Sequence, residues 1–286
     1  MSTVTRVPVP AGTLAEGPFW DGAAGGLYWV DIPAGRVHYL PDGHGRPGDG
    51  HLTWDVGQPV GVAVPRASGG LALGVRDGFV GLDPATGQTT ELAEVERDRP
   101  GNRMNDGGCD RAGRFFAGTK AEDDEPDAGA LYRLDPGGQV TTVLAPVTIS
   151  NGIGWSPDER LMYYVDSPTR RIDVLDYDPV TGAVSGRRPF ATLPESGAVP
   201  DGLTVDAEGG VWVALWGGSA VHRYGPDGRL DLVVDIPAQN VTCCAFGGDG
   251  LDTLYITTAA GPGQDQGALF RYPAGVTGQP VQPYRG

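Results

Sequence analysis

Six positions spaced 44, 45, 46, 50 and 41 residues apart carry Glu16, Val60, Asn105, Asn151, Asp201 and Thr242. Each stands before a glycine, or the equivalent place, at the entry to an apolar strand, as Asn151 does in "TISNGIGWSPD". An amide or carboxylate in an apolar setting needs hydrogen-bond or metal partners. Glu16, Asn105, Asn151 and Asp201 offer such oxygens, and the set contains no His or Cys. Two carboxylates side by side in a narrow space repel unless a proton or a cation sits between them. An all-oxygen set with two negative charges suits a hard divalent ion, Ca²⁺ or Mg²⁺, better than a soft one. In the third copy Asp106 aligns with the glycine, because Asp110 then matches Asp21 and Asp206.

These residues meet only if the repeat builds a ring. A strand running into a Pro-containing turn recurs as "HYLPDGHG", "VGLDPATG", "LYRLDPGG", "VLDYDPVTG", "VHRYGPDG" and "LFRYPAG". The prolines Pro41, Pro84, Pro136, Pro179, Pro226 and Pro273 lie 43, 52, 43, 47 and 47 residues apart. Before each comes a Gly-rich turn and an alternating apolar run, such as "GGLYWVD", "RLMYYVD" or "GGVWVAL", with the period of two that marks a strand. Before that comes the stretch holding the six positions. Less regular segments, such as "DLVVDIP", supply a fourth strand, and no segment has a persuasive helical period. "ELAEVERDRPG", 91–101, reads as a loop. Four strands in about 46 residues, repeated six times, predict an all-β fold, a six-bladed β-propeller of four-stranded blades, forming one domain over 1–286. The left-over strand "TRVPVPA", 5–11, can pair into the last blade and close the ring. The first strand of each blade is then innermost, and its entry residues face the central channel.

Bulk properties narrow the function. The 286 residues include 47 Gly and 25 Pro spread along the whole length, which fits many turns and short strands. A net charge of −15 argues against nucleic acid as a partner, because a polyanion surface needs clustered Lys and Arg. No apolar run is long enough for a membrane helix, and the first residues lack the pattern of a signal peptide. The cysteines Cys109, Cys243 and Cys244 cannot form a full disulfide set and read as core residues in a cytoplasmic protein, a monomer or weak homodimer. His38, His44, His51 and His222 all fall outside the ring, and no G-x-S-x-G elbow occurs, so a Ser–His–Asp hydrolase is not expected.

"AEGPFWD" (15–21), "NRMNDGGCDRAGRFFAGT" (102–119), "SNGIGWSPD" (150–158), "PDGLTVDAEGGVWVA" (200–214) and "VTCCAFGG" (241–248) together resemble the regucalcin / gluconolactonase family, of senescence marker protein type. The likeness runs from about residue 5 to 275 in the family's order. It implies a six-bladed propeller that opens sugar lactones to aldonic acids. It implies one divalent ion held by Glu16, Asn151 and Asp201, with Asp201 also the base that activates water. It implies substrate contacts from Arg103 and Asn105, and a sugar-hydroxyl contact from Glu122 or Asp123. Ca²⁺ is favoured; Mg²⁺, Mn²⁺ and Zn²⁺ also occupy oxygen-rich sites.

The residue types agree with that chemistry. The guanidinium of Arg103 offers five donors in a fixed fork, fit for hydroxyls or a developing oxyanion. Asn105 both donates and accepts, which suits a polyol, and two residues apart on an extended segment they face the same side. Trp20 and Trp155 read as packing between blades, and Trp216 as a platform for a sugar ring. "KAEDDEPDAGA" (120–130) and "AAGPGQDQG" (259–267) read as lid and rim. Two other functions fit the same ring: a metal-dependent phosphotriesterase of the diisopropylfluorophosphatase kind, and a calcium-binding regulator without catalysis.

Overall fold

An aspartate closes the turn that follows several of the inner strands. Asp21 Oδ1 accepts the Ala23 and Ala24 amides at 2.9 and 3.1 Å, and Asp206 Oδ1 accepts those of Glu208 and Gly210 at 2.9 and 2.7 Å. Asp110 Oδ1 accepts the Arg114 amide at 2.9 Å. Such side-chain turns reverse the chain and set the next strand antiparallel. The computed structural model describes residues 3–45, 50–193, 197–261 and 265–286. The rim segment expected at 259–267 therefore lies partly outside the described residues.

The chain opens with β1 (Thr5–Val7). Blade 1 is β2 (Ala15–Asp21), β3 (Gly26–Asp31), β4 (Arg36–Pro41) and β5 (Leu52–Asp55). Blade 2 is β6 (Val60–Pro65), β7 (Leu71–Val75), β8 (Gly78–Leu82) and β9 (Thr89–Glu94). Blade 3 is β10 (Asn102–Cys109), β11 (Phe115–Ala121), β12 (Gly129–Leu134) and β13 (Val140–Val147). Blade 4 is β14 (Ser150–Trp155), β15 (Leu161–Asp166), β16 (Arg171–Asp178) and β17 (Ala183–Thr192). Blade 5 is β18 (Val199–Val205), β19 (Val211–Trp216), β20 (Ala220–Tyr224) and β21 (Leu230–Asp235). Blade 6 is β22 (Val241–Gly247), β23 (Thr253–Thr258) and β24 (Leu269–Pro273), completed by β1 with Thr5 opposite Arg271. The fold is a six-bladed β-propeller whose last blade takes its outer strand from the N-terminus. The inner strands β2, β6, β10, β14, β18 and β22 contact one another in that order, and β22 returns to β2.

The apolar core is divided among the blade interfaces. Blades 1 and 2 bury Phe19, Val30, Leu73 and Val75 between them, blades 4 and 5 bury Tyr163, Val165, Val205 and Val213, and each remaining interface has its own cluster. Trp20 stacks on Tyr255 across the blade 6–blade 1 interface with centroids 6.0 Å apart. Trp155 meets Phe116 edge-on at 5.3 Å between blades 3 and 4. Both indoles are interblade packing. All three cysteines are buried and free.

The structure corrects the loop expected at 91–101. Its first residues belong to β9, which pairs with β8 from Gly78–Glu94 to Leu82–Thr89. Leu92 and Ala93 pack on the blade 2–blade 3 core, while Glu91 and Glu94 lie exposed on the outer edge. A charged outer strand blocks pairing with other chains, and that charge hid the strand in the sequence. The only helix among the described residues is the 3-10 turn Ser167–Thr169, so none is long and apolar enough to cross a membrane. At the end of the channel where the inner strands finish, Gln279 Nε2 donates to the Trp155 and Val205 carbonyls at 3.0 and 3.3 Å. The C-terminal segment thus floors the channel, and the site lies at the other end.

Candidate active site

Each inner strand breaks register at its ring position. The ladder skips or shifts after Glu16 in β2, at Gly61 in β6, at Asn105 in β10, at Asn151 in β14, at Asp201 in β18 and at Thr242 in β22. A bulge turns a residue out of the ladder and re-aims its side chain. The small residue next to it lets neighbouring strands close up. A Cβ on Gly61 would meet the Met104 carbonyl oxygen at 2.3 Å, and one on Gly202 would meet Cys243 Sγ at 2.3 Å. The entries to two strands are pinned by the last residue of the strand beside them. Asp31 accepts the Thr13 and Leu14 amides at 2.8 and 3.1 Å, and Asp166 accepts the Ile149 amide at 2.9 Å. Glu16 and Asn151 are fixed from there.

The bulged residues form one buried polar cluster. Asn105 Nδ2 donates to the Ser150 carbonyl at 2.9 Å and to Asn151 Oδ1 at 3.3 Å, and Asn151 Nδ2 donates to Ser167 Oγ at 2.9 Å. Arg103 Nη1 donates to Asn105 Oδ1 at 2.8 Å and to the Met104 carbonyl at 3.0 Å. Glu16, Arg103, Asn105, Asp106, Asn151 and Asp201 are all buried, each at most 9% exposed.

Three carboxylates share this space. Burial, then the charges of Asp201 and Asp106, push the Glu16 carboxyl well above its usual range, against the pull of the Gly17 N–H and Arg103. Burial, then Asp106, also raises Asp201, while the Asn151 amide, Lys120 and the Gly202 N–H favour its anion. Burial raises Asp106 to about 6, against the Gly107 N–H, which it accepts at 2.6 Å. Among the described residues no Lys or Arg forms an ion pair with any of the three. Buried carboxylates without an ion-pair partner call for a cation. Among the described residues no three Asp, Glu, His or Cys side chains form a metal cage by themselves. Asn151, beside Asp201, is the neutral side chain whose oxygen would complete the donor set of such a site. A donor set of carboxylates and amides fits a hard divalent ion.

Glu16, Asn105, Asn151, Asp201 and Arg103 are thus brought together. Val60 and Thr242 are not donors. Val60 is apolar and fully buried, and the Thr242 hydroxyl is spent on the Ala15 carbonyl at 2.6 Å and Thr257 Oγ1 at 2.8 Å. The segment expected as a lid is the turn between β11 and β12; of its two candidates, Glu122 is the charge that most favours the Arg103 cation against burial. Asp123 is exposed and accepts the Glu125 amide at 3.3 Å within its own turn. Trp216 ends β19 opposite Val199, 37% exposed, two residues along the partner strand from Asp201.

Two residues escaped the sequence reading. Asp106 stands in the glycine column of the repeat and adds a third carboxylate. Glu96, with its side chain 4% exposed, accepts Tyr132 Oη at 2.7 Å, Asn102 Nδ2 at 2.8 Å and Thr119 Oγ1 at 3.2 Å. It anchors the residue immediately before Arg103. The signal for Asp106 was its charge in a column of small residues; Glu96 had none, since its partners follow no period.

Residues 14–260 match the family described as the SMP-30/Gluconolactonase/LRE-like region. The chain is 40% identical over 293 residues to Pentonolactonase XacC of Haloferax volcanii, covering 97% of each. It is 38% identical over 264 residues to Regucalcin of Homo sapiens, covering 90% of this chain and 87% of that one. The structure described as a calcium-binding protein, regucalcin, from Agrobacterium tumefaciens superposes with a TM-score of 0.92 at 31% identity, over 98% of this chain and 97% of that one.

Proposed function

The chain belongs to the SMP-30/gluconolactonase/LRE-like family, and from that premise we propose that it is a lactonase that hydrolyses sugar lactones to aldonic acids. The observation that carries this reading is the convergence of Glu16, Asp106 and Asp201 with Asn105, Asn151 and Arg103 at the propeller axis. The similarity to a pentonolactonase makes a pentonolactone the first substrate to test.

Glu16, Asn151 and Asp201 would hold one divalent ion, Ca²⁺ first among the candidates. When bound, that ion supplies Lewis acidity to the lactone carbonyl and offsets the clustered negative charge. Asp201 takes a proton from the water that attacks the carbonyl carbon. The Arg103 fork donates to the substrate oxygens and, with Asn105, fixes the ring against that attack. Collapse of the tetrahedral carbon breaks the ring C–O bond, and the proton held by Asp201 passes to the departing alkoxide. The acid formed then ionises, so each turnover releases one proton to solvent.

A second reading draws on the relatives named regucalcin and on the structure described as calcium-binding: Ca²⁺ binding without turnover. One experiment separates the two. Acid release is followed in a pH-stat over a panel of pento- and hexonolactones, after chelation and after adding back Ca²⁺, Mg²⁺, Mn²⁺ or Zn²⁺. Metal-restored turnover supports the lactonase; Ca²⁺ binding by calorimetry with no turnover on any lactone supports the second reading.

A further inference from the structure

Blade 2 brings only Val60 to the ring. Its polar contribution comes from the next turn outward. Val60 pairs with Val75, the last residue of β7, and Arg76 follows at once in the turn before β8, on the channel-mouth side of Val60. Arg76 Nη2 forms an ion pair with Glu122 Oε1 in the turn between β11 and β12 of blade 3. Glu122 is held there through its own amide, which donates to the Gly101 carbonyl at 2.8 Å. Glu122 favours and Arg76 disfavours the charge on Arg103, so the three groups lie within each other's fields across the mouth. The pair is partly open, with side chains 35% and 48% exposed. Yet the Arg76 Nε–H is itself buried and has no hydrogen-bond partner among the described residues. A buried donor without an acceptor is costly, and a small shift of the guanidinium onto a ligand hydroxyl would relieve that cost.

We propose that Arg76 is a specificity-determining residue that selects lactones carrying adjacent hydroxyls. One hydroxyl donates to Glu122, and its neighbour accepts from the Arg76 guanidinium, an acceptor and a donor side by side. This rests on the lactonase reading. An unsubstituted lactone has no hydroxyl to offer either side chain.

The test compares Arg76→Met with the wild type on a pentonolactone and on γ-butyrolactone, as the ratio of the two kcat/KM values. The expected result is a ratio about tenfold lower in the variant, carried by a higher KM for the pentonolactone. A ratio within twofold of wild type overturns the proposal. Should Arg76→Met fail to fold, Glu122→Gln breaks the same pair from the other side, with the same expected fall and the same overturning result. If the wild type hydrolyses neither lactone, the lactonase reading fails and Arg76 is judged on binding. A pentitol seen by saturation-transfer NMR on the wild type and lost on Arg76→Met supports the role, and equal binding overturns it.

Discussion

Arg103 and Asn105 are joined side chain to side chain, with Nη1 donating to Oδ1 at 2.8 Å, and both are buried at the mouth of the channel. Asn105 therefore works in two directions, holding the guanidinium with its oxygen and the Ser150 carbonyl and Asn151 with its nitrogen. Asn105→Ala would leave a buried Arg103 donor without its acceptor and free the fork from its orientation. We expect kcat/KM for a sugar lactone to fall about 100-fold, with a stability loss of about 1–3 kcal/mol. Steady-state kinetics and a urea melt on the same preparation check both numbers. A variant with full activity would remove Arg103 and Asn105 from the reaction.

Repulsion among Glu16, Asp106 and Asp201 costs stability whenever no cation offsets it. Asp201→Asn removes one of those charges while keeping the shape of the side chain. The variant is expected to melt higher than the wild type in chelator. It is also expected to lose the stabilisation that Ca²⁺ gives the wild type, about 2.7 kcal/mol at a hundred times Kd. Lactone turnover should fall at least 100-fold, because the water loses its base. Thermal melts with and without Ca²⁺ measure the first two effects. A wild-type melt that no divalent ion moves would sink the metal reading.

The repeat made most of this site legible. Glu16, Asn151 and Asp201 announce themselves because a polar residue recurs where the other residues of the strand are apolar. Thr242 occupies the same column yet closes on Ala15 and Thr257, a partnership that only the folded strands reveal. Asp106 stands in the glycine column, and a column of glycines speaks of close packing rather than of charge. Reading β9 as a loop had the same root: its charges are right for an edge strand but break the apolar alternation. Asp106→Gly restores what most of the other blades carry at that position. It is expected to weaken Ca²⁺ binding about tenfold by removing one carboxylate, with the fold retained, and isothermal calorimetry measures it.

Glu96 is far from any repeat, and its effect should be large. Its carboxylate takes hydrogen bonds from Asn102 on β10, the strand bearing Arg103, from Thr119 on the adjacent β11 and from Tyr132 on β12. Glu96→Ala leaves the half-buried Tyr132 hydroxyl without its acceptor and takes one of two acceptors from each of Asn102 Nδ2 and Thr119 Oγ1, with an expected cost of about 1–3 kcal/mol. Glu96→Gln keeps an acceptor and most of the volume. It should therefore fold, yet raise KM for the sugar lactone severalfold as the Asn102–Arg103 segment loosens, with kcat less affected. An unchanged KM in a folded Glu96→Gln would leave Glu96 a purely structural residue.

Away from the site, blade 1 holds a group that makes stability depend on pH. His38 stacks on Trp29 with centroids 5.0 Å apart, and its Nδ1 lies 3.2 Å from His51 Nε2 and 3.0 Å from Thr53 Oγ1. Burial, then the neighbouring His51, lowers the His38 pKa to about 4, with Arg36 acting the same way and Asp31 against them. Burial also lowers His51. The folded protein thus keeps His38 neutral where the unfolded chain protonates it, below its ordinary value of about 6.5. The unfolded state binds more protons in that window, so stability is full above about pH 6.5 and is lost as the pH falls toward 4. Because the ring is partly exposed, the loss is expected at about 1–2 kcal/mol rather than the full value of the shift. Replacing His38 with Phe keeps the stack on Trp29 and removes the titration. Urea midpoints at pH 7 and pH 4.5 should then differ less in His38→Phe than in the wild type, and equal differences would show that His38 does not carry this dependence.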